Sequence, residues 1–507
     1  MPNTIPNWQR LAAMTESKQM TKTRLFPLLA VSAAALLAGC SMIPTYERPA
    51  APVAASFPVY ASASSTSTAP AADALPAAGI AWQDFFSDAK LKRLIELALA
   101  NNRDLRVAVL NIEQARAQYQ IRRADQLPTV SAGISGSRSP KSEGGMSSSY
   151  TAGLTVTAFE LDFFGRVSSL KEAALNQYLA TEEGRKSAQI SLIGAVANTY
   201  LSVLADEELL EITRQTLKTR EESMKLSKLR FDNGVSSELD FRQAESLLEA
   251  ARVAYAQQQR QRALDENALT LLVGQSLAGE LPTAAQSVPL VEAKLMADVP
   301  AGLPSDLLTN RPDIRQAEQL LLAANANIGA ARAAFFPRIS LTVGAGSASS
   351  HLSGLFESGS WGWTLAPQLL LPIFDAGRNS AGLASAQAGR DIAIAQYEKA
   401  IQTGFREVAD ALATRATLAD QLRSQQAQAN AEGVRFKLSD LRYQNGVASY
   451  LDLLDAQRSL FTARQAVVQT RLAQLQSQVT LYKTLGGGWK ETGEVAQAAG
   501  AASAAKP

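Results

Sequence analysis

The chain of 507 residues holds a single cysteine, Cys40, and a single histidine, His351. That scarcity removes most site chemistry at once. A zinc site needs several Cys or His ligands, a disulfide needs two thiols, and a Ser-His-Asp relay needs a histidine in a structured cleft. His351 lies in a Ser/Gly-rich stretch and reads as a solvated loop residue. The Gly486-Gly487-Gly488 run reads as a helix terminator rather than a phosphate cradle. No catalytic residue, metal site or cofactor is expected, and the chain is read as something other than an enzyme. Charge of one sign is also missing. Lys+Arg 49 against Asp+Glu 47 leaves +2, so no basic field points to nucleic acid. Aromatics are only 6% although 46% of residues are hydrophobic. Ala, Gln, Leu and Ser dominate the helical stretches, which suits extended coiled coils better than one thick core. Finally, no proline occurs between Pro140 and Pro282, or between Pro372 and Pro507, so nothing forces a break in any helix there.

What the chain does contain is one motif twice. The segment Leu229 to Asp240 returns as Leu441 to Asp452, every position 212 residues further on. In each copy an Asn-Gly pair, within Asn233-Gly234-Val235 and Asn445-Gly446-Val447, can take the left-handed conformation that ends a helix. Ser237 and Asp240, like Ser449 and Asp452, then have the spacing of a capping box that starts the next. Each copy therefore reads as a tight tip between antiparallel helices, at about 231–237 and 443–449. After the second tip, Leu454, Phe461, Val468, Leu475 and Tyr482 recur every seven residues beside Leu453, Leu460, Val467 and Leu481, with Gln474 as the polar interruption. Phe241, Leu248, Tyr255 and Leu269 keep the register after the first tip, interrupted by Arg262. A sustained period of seven implies a left-handed supercoil.

Upstream of each tip lies another matched pair, Gly165-Arg166 and Gly377-Arg378, from which helices of about 65 residues run to the tips, roughly 95 Å each at 1.5 Å per residue. Before them the period changes to two. Val130, Ala132 and Ile134 alternate with small polar residues, as do Leu154, Val156 and Ala158. Ile339, Leu341, Val343 and Ala345 repeat the pattern, and Trp361-Gly362-Trp363-Thr364-Leu365-Ala366 returns it. These are β-hairpins at about 129–163 and 338–374. Their strands have roughly the 9–11 residues that cross a bilayer when tilted, with Trp361 and Trp363 as interface anchors, and a soluble half-buried hairpin fits the pattern equally. A first helix is expected from about Asp88 to Gln126. The Asn101-Asn102-Arg103-Asp104 segment parallels Asn310-Arg311-Pro312-Asp313 at an offset of 209, so the offset changes inside the hairpins, as loops of different length would produce.

At the start, Lys22 and Arg24 precede an apolar stretch from Leu25 to Leu37, too short for a transmembrane helix, that ends in Leu37-Ala38-Gly39-Cys40. This resembles a bacterial lipobox, which implies cleavage and lipid attachment at Cys40. Met20 reads as the natural start. Ser41 in the next position implies sorting to the outer membrane. The organisation is then an N-terminal extension and signal (1–39), an extended Pro/Ala/Ser linker (40–80), a first repeat (81–275), a connection (276–302), a second repeat (303–488) and a disordered tail (489–507). The fold class is mostly α with transmembrane β. Two hairpins give four strands, too few to close a barrel, and unpaired edges cannot face lipid, so spanning strands require several chains to pool them.

Together, Cys40-Ser41-Met42-Ile43-Pro44-Thr45-Tyr46-Glu47-Arg48-Pro49, Asn310-Arg311-Pro312-Asp313-Ile314, Ala331-Arg332-Ala333-Ala334-Phe335-Phe336-Pro337 and Asp452-Leu453-Leu454-Asp455-Ala456-Gln457 resemble the OprM/NodT branch of TolC-like outer membrane efflux proteins. The resemblance spans residues 40–488. It implies a homotrimer with a twelve-stranded β-barrel continued by a periplasmic α-helical barrel. It also implies the exit duct of a tripartite pump for drugs and other small toxic compounds, with a periplasmic adaptor and an inner membrane transporter of the resistance-nodulation-division type as partners. By matching positions, Leu451 and Asp455 would form inward rings at a periplasmic gate, and Arg442 and Tyr443 would make closing contacts between helix pairs. Gln444 stands where some relatives have a second Arg. Residues 233–235 and 445–447 would touch the adaptor. Rival readings are a duct of the same fold for protein secretion or metal-ion export, and a coiled-coil lipoprotein tethering the outer membrane to the cell wall.

Overall fold

The computed structural model describes residues 41–58, 79–140, 142, 145–277, 290, 296–297 and 304–490. Cys40, the signal segment, most of the connection at 276–302 and the tail beyond 490 lie outside the described residues. The elements run α1 (Trp82–Phe85), α2 (Ala89–Asn101), α3 (Arg103–Ala124), β1 (Val130–Pro140), β2 (Met146–Leu161), α4 (Arg166–Asp232), α5 (Glu238–Val273), α6 (Pro304–Asn310), α7 (Pro312–Ala333), β3 (Arg338–Ser349), β4 (Trp361–Leu370), α8 (Arg378–Gln444) and α9 (Tyr450–Thr484). Both long helices, α4 and α8, have 67 residues, close to the expected length. The chain falls into two compact units. One holds Gln114–Tyr178, Gln319–Ala395 and the segment up to Arg48, and the other holds the remainder.

The first unit is built on an antiparallel sheet in the order β1-β2-β3-β4. Register puts Val130, Val156, Val343 and Leu365 in one row, and Ala132, Leu154, Ala345 and Trp363 in the next. Because side chains alternate across a strand, these rows share a face, and Val130, Ile134, Leu154, Trp361, Trp363, Leu365 and Leu369 on it are exposed. The intervening rows are small or polar: Ser131, Thr155, Gly344 and Thr364, then Gly133, Gly153, Gly346 and Gly362. At Ala158 the expected alternation fails. The β2–β3 register shifts between Val156 and Phe159, Ala158 takes φ 50°, and its N–H donates to the Thr342 hydroxyl at 3.1 Å. This is a β-bulge, which inserts a residue and bends the strand. The loops differ in length, 141–145 against 350–360, in the direction the change of offset indicates, and the shorter β4 takes back part of the difference. In the same unit the linker segment is laid down rather than free, since Asn325 donates to the Pro44 carbonyl at 2.8 Å and Arg332 to that of Met42 at 3.3 Å.

The second unit is helical. Its buried aromatic centre stacks Phe85 on Tyr482 with ring centroids 4.0 Å apart, and the Tyr482 hydroxyl donates to the Ile80 carbonyl at 2.6 Å. Tyr200 donates to Asp88 at 2.9 Å while Asp88 caps α2 through Lys90 N–H and Leu91 N–H. The single helix expected from Asp88 to Gln126 is instead two, broken at Asn102. The Asn102 side chain accepts from Leu105 N–H at 2.9 Å, capping α3, and donates to the Leu272 carbonyl at 2.9 Å. Asparagine competes with the helix for backbone hydrogen bonds, which is why it breaks the run. The second repeat makes the same joint with different chemistry. Pro312 starts α7, and Arg311 donates to the Thr484 carbonyl at 2.8 Å while pairing with Asp313 and Glu407 at 2.6 and 2.9 Å.

The seam packs largely as its period requires: Leu453, Leu454, Leu460, Val468, Leu475, Leu481 and Tyr482 are buried, and so are Leu248 and Leu269. Each buried leucine contributes about 1.5–3 kcal/mol. Phe461, Val467, Phe241 and Tyr255 are only half-buried. Arg262, the polar break in the first seam, pairs with the buried Glu207 of α4 and with Glu266 on its own helix.

Candidate functional site

Both tips fold by local rules. Gly234 and Gly446 take φ of 69° and 72°. Val235 N–H reaches the Arg230 carbonyl at 2.8 Å, and Val447 N–H reaches that of Arg442 at 2.9 Å, the six-residue closure of a Schellman motif. Ser237 and Ser449 cap the next helices, each in a complete capping box with Asp240 or Asp452. The Asn233 and Asn445 side chains turn back to donate to the Leu229 and Leu441 carbonyls, both at 2.7 Å. What each tip offers outward is therefore its valine: Val235 is 76% exposed and Val447 is 66% exposed.

The four side chains named for the gate separate into two groups. Tyr443 joins the two repeats. Arg230 on α4 donates to its hydroxyl at 2.6 Å and lies 4.8 Å from its ring centroid. Tyr443 also packs on Tyr450 beside the buried Ala244, Leu453 and Leu454. Arg442 is exposed, and its side chain makes no ion pair among the described residues. Gln444 donates to Asp440 on its own helix at 2.8 Å. Leu451 is 62% exposed at the start of α9.

Asp455, expected in an inward ring at the gate, is paired on both oxygens. Arg435 on α8 donates to one oxygen, and Arg458, one turn further along α9, donates to the other at 2.7 Å. These two hydrogen bonds hold its pKa below the usual carboxylate range. Arg435 also pairs with Glu432 at 3.1 Å. The cluster of Asp455, Arg435, Arg458 and Glu432 is neutral, so it does not by itself favour cations. Sequence reasoning missed both partners. Arg458 follows Asp455 at a spacing any helix brings together, whereas Arg435 meets it only because the hairpin folds back.

The outer membrane efflux protein family matches residues 94–275 and 303–487, which are the two repeats. The toluene efflux pump outer membrane protein TtgC of Pseudomonas putida is 50% identical over 488 residues, 95% of this chain and 99% of that protein. The outer membrane protein OprJ of Pseudomonas aeruginosa is 45% identical over 476 residues, covering 92% of this chain and 96% of OprJ. Among solved structures, the open state of the Neisseria gonorrhoeae MtrE outer membrane channel superposes with a TM-score of 0.79 at 42% identity, over 89% of this chain and 99% of MtrE. With both repeats matched, and with the sheet and paired tips in place, the chain belongs to the outer membrane efflux protein family.

Proposed function

We propose that the chain is the outer membrane exit duct of a tripartite efflux pump. It works as a homotrimer that receives small organic compounds from a periplasmic adaptor and an inner membrane transporter of the resistance-nodulation-division type. The observation that carries this reading is the four-stranded sheet: its apolar face is exposed, its opposite face is small and polar, and its edges β1 and β4 have no partner among the described residues. Such a sheet is stable in lipid only when other copies close it, and three copies give twelve strands. The toluene pump of which TtgC is part makes small apolar molecules the proposed cargo class. Cys40 is proposed to carry the lipid.

At the periplasmic end, the tips at residues 233–235 and 445–447 are proposed to dock the adaptor through Val235 and Val447. Leu451 and the Asp455 cluster form the gate. Leucines meeting on an axis dewet a narrow gap, and the Asp455 clamp holds α9 to α8.

Inter-chain disulfides test the assembly. In one chain β2 and β3 separate β1 from β4, about 14 Å at 4.8 Å per strand, beyond disulfide reach. A cysteine scanned along β1 opposite Thr364→Cys in β4 is expected to give covalent trimers in membranes, against a Thr364→Cys single variant that gives none. Failure at every β1 position would overturn the shared barrel.

A further inference from the structure

Where α9 packs on α4, a cation is enclosed without a counter-ion among the described residues. Arg220 on α4 is 6% exposed, and its Nη1 has no hydrogen-bond partner. No acidic side chain lines the cavity it borders, a space of about 180 Å³ among α4, α8 and α9. The wall includes Phe436, Gln457 and, at the exposed rim, Arg464. Gln457 is buried too, and its Oε1 is unpaired. The hydroxyls of Thr216 and Thr219 are committed to carbonyls of their own helix at 2.9 and 3.0 Å, and the Gln215 amide donates to Glu211 at 2.9 Å. The donors left for a ligand are therefore Arg220, Arg464 and the Gln457 amide, which can present its NH₂ by a half-turn.

Charge makes the arrangement costlier still. Burial depresses the Arg220 pKa, and the positive charge of Arg458 pushes the same way against the opposing Tyr450 hydroxyl. A buried, unpaired guanidinium is strongly unfavourable unless something charged and hydrogen-bonding completes it. Water can occupy a space of this size but cannot neutralise it. We propose that this cavity binds one small inorganic oxyanion of the phosphate class, held by Arg220 and Gln457 from opposite helices, with Arg464 closing the rim. Bound there, the anion ties α4 of the first repeat to α9 of the second, next to Arg458 and its partner Asp455. The proposal stands independently of the duct reading.

The test uses the full chain purified in detergent without phosphate, with inorganic phosphate titrated against chloride at constant ionic strength and helix melting followed by circular dichroism. The wild type is expected to show a saturable rise of a few degrees in Tm. Arg220→Gln loses the rise, and Arg464→Gln, an exposed site, shifts the half-saturating phosphate concentration upward several-fold. No saturable rise in the wild type, or the same rise in both variants, overturns the site. If Arg220→Gln does not fold, Arg464→Gln and an arsenate-soaked wild-type crystal decide. Anomalous density within hydrogen-bonding distance of Arg220 supports the site, and an empty cavity at saturating arsenate refutes it.

Discussion

Arg230 holds Tyr443 in two ways at once, through a 2.6 Å hydrogen bond to the hydroxyl and through its guanidinium 4.8 Å from the ring centroid. The two residues belong to different repeats, so this contact couples the first tip to the second. Arg230→Gln and Tyr443→Phe should each destabilise the chain, and a double-mutant cycle on thermal melting should return a coupling of about 1 kcal/mol. Simple additivity of the two substitutions would show that the contact carries no energy.

The gate makes an electrical prediction. In planar bilayers, Leu451→Ala with Asp455→Ala should conduct more than the wild type, because the apolar gap widens and the α8–α9 clamp is gone. Removing Asp455 also leaves Arg435 and Arg458 facing each other, so reversal potentials in a salt gradient should move toward anion preference. Unchanged conductance and selectivity in a folded variant would remove these residues from the gate. Acid should weaken the same clamp in the wild type. The depressed Asp455 pKa means its pairing is fully present above about pH 4 and is lost as pH falls through the folded-state value.

Asp206 points the other way. Burial and the neighbouring Asp265 push its pKa up to about 7. Between the ordinary carboxylate value near 4 and that raised value, the folded chain holds a proton that the unfolded chain has released, so stability falls as pH rises through this window. Asp206→Asn keeps an oxygen for the Gln258 amide, which donates to Asp206 at 2.9 Å, and removes the titration. The variant should match the wild type near pH 4 and exceed it at pH 8 by on the order of 1 kcal/mol, allowing for solvent screening. Parallel melting curves against pH for the two proteins would refute this assignment.

The joints where each repeat's last helix meets its first should be among the least tolerant positions. Gly274 and Gly486 have φ of 77° and 81°, and a Cβ on either would lie 2.6 or 2.7 Å from the carbonyl oxygen of Asn101 or Asn310. Alanine at either position should cost about 1–3 kcal/mol from backbone strain alone. Arg311→Ala, which strips a buried cation from Asp313, Glu407 and the Thr484 carbonyl, should cost about 3–5 kcal/mol. Denaturant midpoints of the three variants test the ranking.

The tips were fully legible in the sequence because every interaction that shapes them is local. Asn-Gly supplies the left-handed turn, and Ser237 or Ser449 caps three residues ahead of its acid. The duplication was legible for the same reason, since it repeats those local rules. The break at Asn102 is readable only in part: the Asn-Asn-Arg-Asp motif marks the place, but whether asparagine caps or continues a helix depends on the Leu272 carbonyl waiting for it. The bulge at Ala158 left no signal, because alanine fits regular strand alternation and only the Thr342 hydroxyl across the ladder shows the departure. The neutralised state of Asp455 and the isolation of Arg220 were out of reach altogether. Each depends on which helix faces which, and Arg435, Asp455 and Arg220 carry no mark of that in their neighbours.

The row Gly133, Gly153, Gly346 and Gly362 crosses all four strands without one side chain. In a closed barrel the strands tilt, so each such row would climb the wall obliquely as a stripe of bare peptide, its N–H and C=O groups already spent along the ladder. A solute passing along that stripe would meet no charge, hydroxyl or ring, and nothing in it would change with pH. A stripe of this kind is indifferent to what crosses it, which leaves all discrimination to the parts of the wall where side chains return.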